Sequence, residues 1–295
     1  MKSKRKFVGN IFDFLFTLRK AIQLINSLGH LEKRIANLEM HVPMLTNQTI
    51  ERVQHLSRIL QPKQTGLKMV RIGNSHDGGY VVSSLNKENM VLSLGVGDEF
   101  SADIELIEKY GSQIYAFDPF VTRPKVPYKE FNFFQIGCRD NSLGKGNLEF
   151  KTLGEILKFL PKIPDLAFID IEGDEWLIGT DISLLGELSQ IVIEFHELHK
   201  IIDNHFYNNV LELVDTLLAS HTPIHVHGNN DGSTVPIGGS SWPSILEVTF
   251  LRTDLFQELK AKDNLGPWPT KLDSPNSPNR PDIDLNPFFG VLRDF

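Results

Sequence analysis

A single cysteine, Cys138, stands among 295 residues, so an intramolecular disulfide has no second partner and a reducing compartment fits the chain. Long apolar runs are missing too. None approaches the roughly 20 uncharged residues that a transmembrane helix needs. The stretch from Ile11 to Phe16 is short, contains Asp13, and runs into Arg19 and Lys20 without a small-residue cleavage site, which argues against a secretory leader. Positive charge is in deficit: 30 Lys and Arg stand against 37 Asp and Glu, a net charge of -7, so a nucleic-acid partner is not expected. No internal repeat is visible. What is present is a 41% hydrophobic content and 23% charged residues, which is ordinary for a chain with a buried core.

The charge is uneven. Residues 1–20 carry Lys2, Lys4, Arg5, Lys6, Arg19 and Lys20 against Asp13 alone. A basic amphipathic segment over residues 1–21 suits peripheral contact with an anionic membrane surface, and the alternative is a solvated terminus. Leu24, Leu28, Leu31, Ile35, Leu38, Val42 and Leu45 then follow steps of four and three, a heptad seam. Pro43 should end that helix, and a second helical stretch carries Ile50, Val53, Leu56 and Leu60 up to Pro62. Residues 22–65 therefore read as a helical, coiled-coil-like arm. It either joins copies of the chain through residues 22–60 or packs on its own domain.

From residue 66 to 295 the texture is that of one α/β domain. Strand candidates are Met90–Leu94, Gln113–Phe117, Asn132–Ile136, Leu166–Ile171, Ile191–Phe195, Pro223–His227 and Leu246–Leu251. Helix candidates are Ser101–Tyr110, Leu153–Leu160, Phe206–Ala219 and Asp254–Lys262. Most strands are apolar throughout rather than alternating, as strands covered on both faces are. The expected fold is a Rossmann-like, doubly wound, seven-stranded, mostly parallel sheet.

Gly95-Val96-Gly97 turns the chain after the buried strand Val91 to Leu94, and Ser101 or Asp103 can cap the helix that follows. The third glycine of a dinucleotide fingerprint is missing, with Phe100 in its place. Asp98 and Glu99 sit at the helix entrance, where they repel a pyrophosphate and suit a ligand carrying a sulfonium and an ammonium group, such as S-adenosylmethionine. Asp118 ends the next strand about 20 residues on, where a carboxylate can accept both ribose hydroxyls. Its other reading is an Asp-Pro turn with Pro119. Cys138 reads as packing rather than a nucleophile.

Phe168 to Trp176 is the densest stretch. Asp170 and Glu172 alternate with Ile169 and Ile171 and so share a face. Glu194 and His196 share a face at the end of the next strand, and His225 and His227 lie on the one after. His196 or His227 is the candidate general base, with Asp170 beside it. Asp170, Glu172 and Glu194 are the candidate oxygen ligands for a divalent ion such as Mg2+. Each histidine could equally be structural.

These residues resemble the FkbM-type methyltransferases over the span from about Arg71 to the C-terminus. The resemblance is carried by Arg71-Ile72-Gly73, Asp77-Gly78-Gly79-Tyr80, Leu92 to Gly97, Phe117-Asp118, Ile169 to Glu175 and Glu194-Phe195-His196. It implies O-methylation of a sugar or natural-product hydroxyl, with Gly95, Gly97, Asp118 and Asp170 lining the cofactor site. It also implies that Asp77, Gly78 and Tyr80 close over cofactor or substrate, although Asp-Gly alone reads as a hairpin turn. The resulting expectation is a cytoplasmic enzyme acting on a sugar, glycan or glycolipid precursor, with contact at the inner membrane face. The alternatives are a natural-product methyltransferase, a nicotinamide-dependent oxidoreductase, or a non-catalytic oligomeric scaffold.

Overall fold

Five apolar runs form the parallel part of one seven-stranded sheet: β3 (Met90–Leu94), β4 (Gln113–Phe117), β5 (Phe131–Phe134), β8 (Leu166–Ile169) and β9 (Gln190–Phe195). Two further strands, β10 (His221–Gly228) and β13 (Leu246–Arg252), complete it in the order β10-β13-β9-β8-β3-β4-β5. β13 runs antiparallel to both of its neighbours. The smaller strands pair off separately. β1 (Met69–Gly73) and β2 (Gly79–Ser83) form a hairpin, as do β11 (Thr234–Ile237) and β12 (Ser240–Pro243), while β6 (Gly137–Cys138) and β7 (Phe150–Lys151) run parallel. This computed structural model describes residues 47–84, 89–122, 124–139, 148–237, 240–255 and 262–290. The basic segment 1–21, the heptad series from Leu24 to Leu45 and most of the expected helix Asp254–Lys262 lie outside them.

The strands are apolar throughout because both faces are covered. Leu92 and Leu94 of β3, Ala167 and Ile169 of β8, and Ile191, Ile193 and Phe195 of β9 face one core cluster. Val91, Leu166, Phe168 and Val192 face the other. The first cluster is closed by α4 (Asn204–Leu218), whose stripe Val210, Leu213, Val214 and Leu217 is buried. Asp203 caps α4 by accepting a hydrogen bond from Phe206 N at 2.8 Å. The second cluster is closed by α2 (Ser101–Tyr110) and the β1–β2 hairpin, where Gln190 bonds to both the N–H and the C=O of Ser83. The short helix α3 (Leu153–Ile156) carries a capping box between Thr152 and Glu155.

The helix α1 over residues 47–59 answers part of the arm's alternatives. Val53, Leu56 and Leu60 are buried in the first cluster, and Arg52 donates to Ile201 O and Asn204 Oδ1. The compact unit runs from Ile50 to Phe295, so the second apolar stretch belongs to the domain rather than to a separate arm ending at residue 65. The C-terminal stretch is ordered in the same way. Trp268 and Leu285 are buried, and Phe288 and Phe289 of α5 (Asn286–Phe289) pack on Trp242 with ring centroids 5.1 and 6.2 Å away. Trp242 is therefore part of the core. Among the described residues, no helix is long and apolar enough to cross a membrane.

Candidate active site

The sheet changes winding direction between β3 and β8, and a doubly wound sheet opens its ligand crevice at the carboxyl ends of such strands. The turn after β3 fits that crevice closely. Gly95 has φ +79°, and a Cβ on it would stand 1.6 Å from the carbonyl oxygen of Asp170. Only glycine allows the two strand ends to approach this closely. A cleft of about 1010 Å³ opens above the turn. All nine residues expected at the cofactor line it: Asp77, Gly78, Tyr80, Gly95, Gly97, Asp98, Glu99, Asp118 and Asp170. Asp77 and Gly78 also form the β1–β2 hairpin loop, so the hairpin turn itself borders the cleft.

The helix entrance is capped differently from expectation. Neither Ser101 nor Asp103 caps α2. Glu99 does so through Oε1, which accepts from Ser101 N at 2.7 Å. Asp103 is buried under the turn and accepts from Ser93 Oγ at 2.6 Å, and burial raises its pKa to about 7. Asp118 does double duty. Oδ1 accepts from Phe120 N at 2.7 Å and Val121 N at 3.0 Å, and Oδ2 accepts from Gly97 N at 3.0 Å. The Asp-Pro turn reading is thus realised. With two lone pairs per oxygen, Oδ2 keeps one place open, enough for one ribose hydroxyl instead of two. Phe120 is 67% exposed on the cleft wall beside it. Cys138 also lines the wall, and burial pushes its thiol up to about 12, so it is no nucleophile.

On the reaction side, β8 ends at Ile169, earlier than expected, and Glu172 takes a left-handed φ of 57°. Asp170 and Glu172 meet because the chain turns there, and simple strand alternation is not the cause. They converge with His196: its Nε2 stands 3.7 Å from Asp170 Oδ1, 3.5 Å from Glu172 Oε2 and 3.7 Å from Glu194 Oε1. Its Nδ1 meets Glu175 Oε1 at 3.0 Å. Burial alone would lower this imidazole's pKa, but the bond to Glu175 and the nearby carboxylates outweigh it and bring it to about 9. Burial holds Asp170 and Glu194 well above the usual carboxylate range. Glu197, the next residue but two after Glu194, is the other non-glycine residue at positive φ among those described. Such backbone strain tends to collect at functional sites.

Two expected roles change. Neither His196 nor His227 is among the residues lining the cleft, and both nitrogens of His227 are engaged, Nδ1 with Glu247 at 3.1 Å and Nε2 with Asp282 at 3.0 Å. Burial is again outweighed, by Glu247 first and then Asp282, and the pKa rises to about 10. An imidazolium held at both ends has no lone pair with which to take a proton, so His227 is not a base. His225 is likewise structural, bonded to Asp273 at 2.8 Å. Glu194 accepts from Asn229 Nδ2 at 2.7 Å, and His196 takes its place in the group that can hold an ion, with Asp170 and Glu172.

Glu175, behind His196, escaped the sequence reading as a site residue, and so did the structural role of Glu247 behind His227. Glu175 is fully buried and also accepts from Ile171 N at 3.0 Å. Glu247 is the one acidic residue of the mostly apolar strand β13, and that isolation was the available signal.

No protein-family model and no curated protein matches the sequence. Solved structures that resemble the chain include the methyltransferase FkbM from Methylobacillus flagellatus KT, at 11% identity over 57% of this chain and 45% of that one, TM-score 0.35. They also include the precorrin-6y C5,15-methyltransferase from Geobacter metallireducens GS-15, at 16% identity over 57% and 82%, TM-score 0.33. A third is the fibrillarin pre-rRNA processing protein of Methanococcus jannaschii, at 12% identity over 58% and 69%, TM-score 0.36. This chain spans less than half of the FkbM structure. Each is a partial likeness at low identity.

Proposed function

We propose that this chain is an S-adenosylmethionine-dependent methyltransferase that acts on a hydroxyl of a sugar, glycan or glycolipid precursor. One observation carries the choice of cofactor. The first amide of α2, which a dinucleotide's pyrophosphate would need, is already bonded to the protein's own carboxylate, Glu99. Asp98, exposed beside it, adds a second negative charge at the cleft floor. A pyrophosphate is repelled there, whereas a sulfonium with an ammonium group is attracted. The nicotinamide alternative therefore loses its anchoring site.

In the proposed reaction the acceptor oxygen attacks the methyl carbon. The carbon–sulfur bond breaks with its electron pair passing to sulfur, and the acceptor proton leaves to a base or to solvent. The sulfonium is already a good leaving group, so alignment is the main task of the protein. Gly95, Gly97, Asp118 and Tyr80 position the cofactor. Asp170, Glu172 and His196 stand on the acceptor side and assist loss of the proton. The basic residues 1–20 extend the proposal to a cytoplasmic enzyme that docks at the inner membrane face, and residues 22–45 to a homo-oligomer.

The test is transfer of a labelled methyl group from S-adenosylmethionine to panels of nucleotide sugars and oligosaccharides. Incorporation into a hydroxyl is expected. Absence of incorporation in every panel, together with incorporation into a small aromatic or polyketide hydroxyl, would move the acceptor to a natural product. Sedimentation with anionic vesicles, lost on neutralising the lysines of residues 1–20, is the expected result for membrane docking.

A further inference from the structure

His196 is 8% exposed in its side chain, and its Nε2 makes no hydrogen bond to any of the described residues. Three carboxylate oxygens face that nitrogen at 3.5 to 3.7 Å, too long for a good hydrogen bond. The ligand atoms of Asp170, Glu172 and His196 all lie within 4.8 Å of one another. An ion with bonds of about 2.0–2.3 Å holds its ligand atoms roughly 3–4.5 Å apart, so the spacing suits one ion at the centre. Asp170 Oδ1 supplies a second and independent sign. It is shielded from solvent, points at His196 and has no hydrogen-bond partner, an arrangement that is costly without a cation to meet it.

We propose that Asp170, Glu172 and His196 form a binding site for a first-row divalent ion of the Mn2+ type, with Glu175 as the positioning residue behind the imidazole. Glu175 Oε1 accepts the Nδ1 hydrogen bond, and the ion displaces the second ring proton to solvent, so that the Nε2 lone pair is directed at it. A carboxylate behind a metal-bound histidine fixes the tautomer in this way. Charge points in the same direction. Asp170, Glu172, Glu175 and Glu194 all lie within 3.7 Å of one imidazole, which can neutralise only one of them. An imidazole nitrogen among carboxylates favours Mn2+, Fe2+ or Zn2+ over Mg2+, in place of the all-oxygen set expected from the sequence. The catalytic meaning of the ion rests on the proposed methyl transfer: bound beside the cofactor turn, it lowers the pKa of an acceptor hydroxyl and relieves His196 of acting as a base.

The full-length protein, stripped with EDTA, is titrated with Mn2+ and followed by the loss of the free-ion electron paramagnetic resonance signal, with Mg2+ as competitor. One Mn2+ per chain is expected, and Mg2+ should bind at least about tenfold more weakly. Glu172→Gln, whose side chain is 85% exposed and so carries little folding risk, and His196→Gln should each weaken Mn2+ about 10- to 100-fold. Glu175→Gln, which keeps an acceptor, should weaken it less. No saturable Mn2+ binding, or variants that bind as the parent does, would overturn the site. S-adenosylhomocysteine is titrated separately into the stripped parent. If it binds while Mn2+ does not, the ion is discarded and the methyltransferase reading stands. If Mn2+ binds and S-adenosylhomocysteine does not, the ion site stands and the methyltransferase reading fails.

Discussion

Replacing Gly95 with alanine puts a methyl group where the chain has no room. Its Cβ would lie 1.6 Å from Asp170 O and 2.6 Å from Asp170 C, and the residue sits at φ +79°. The left-handed backbone costs a non-glycine residue roughly 1–2 kcal/mol. Relieving the overlap means pushing β8 away from β3, an overpacking change of roughly 1–3 kcal/mol. Together the expected loss is about 2–5 kcal/mol, which in a domain of this size lowers the melting temperature by roughly 5–15 °C. Gly97 is the internal control. It too has positive φ, +52°, but a Cβ there meets nothing within 4 Å. Gly97→Ala should therefore cost only about 1 kcal/mol of strain, while its methyl projects from the cleft floor. Thermal melts and calorimetry with S-adenosylhomocysteine on both variants separate the effects. Gly95→Ala should lose stability, and Gly97→Ala should stay folded and lose binding about tenfold or more, a change of about 1.4 kcal/mol. Equal melting temperatures for the two variants would refute the close approach of Gly95 to Asp170.

Other consequences follow from burial and charge. Asp103 has a folded pKa of about 7 against an ordinary 3.8, so the stability tied to its neutral form is present below pH 3.8 and is lost as pH rises through 7. Asp103→Asn keeps an acceptor for Ser93 and should raise stability at pH 8 by up to roughly 4 kcal/mol, with a smaller gain at pH 5; equal gains at both pH values in thermal melts would contradict this. The raised pKa of His227, about 10 against 6.5, makes its contribution complete below pH 6.5 and lost as pH rises through 10. Its ring should therefore still be protonated at pH 8 by nitrogen NMR, and a neutral ring at that pH would rule out the double clamp by Glu247 and Asp282. Removing residues 1–46 should leave a cooperative melt, whereas removing residues 1–60 takes away buried Val53, Leu56 and Leu60 and roughly 5–9 kcal/mol of burial; a cooperative melt in the shorter chain would place the domain boundary at residue 65 after all.

The sheet was legible because its strands are apolar throughout and bounded by turns: Met90–Leu94 and Gln113–Phe117 match end to end. The nine residues expected at the cofactor stand out in the sequence as glycines, acids and one tyrosine, and the fold draws them into one cleft. What the sequence hid were relations set by tertiary contact. Periodicity shows that Val53, Leu56 and Leu60 form an apolar stripe but not whether that stripe covers the chain's own core or a partner. Alternation put Asp170 and Glu172 on one face, whereas a left-handed turn at Glu172 brings them together. His196 and His227 look alike in sequence, each at the end of an apolar strand. They part only because Asp282, 55 residues beyond His227, closes off its second nitrogen, while Nε2 of His196 is left facing the cluster. Glu175 was visible in its motif, but its role depends on Ile171 N and His196 Nδ1 meeting one carboxylate oxygen.

The most direct test of the central claim is calorimetric titration of the full-length protein with S-adenosylmethionine and S-adenosylhomocysteine, with NADH run in parallel. The cleft, with Glu99 already on the first amide of α2 and Asp98 beside it, predicts saturable one-to-one binding of both sulfur ligands and none of NADH. NADH binding with no heat from either sulfur ligand at high micromolar concentration would contradict it.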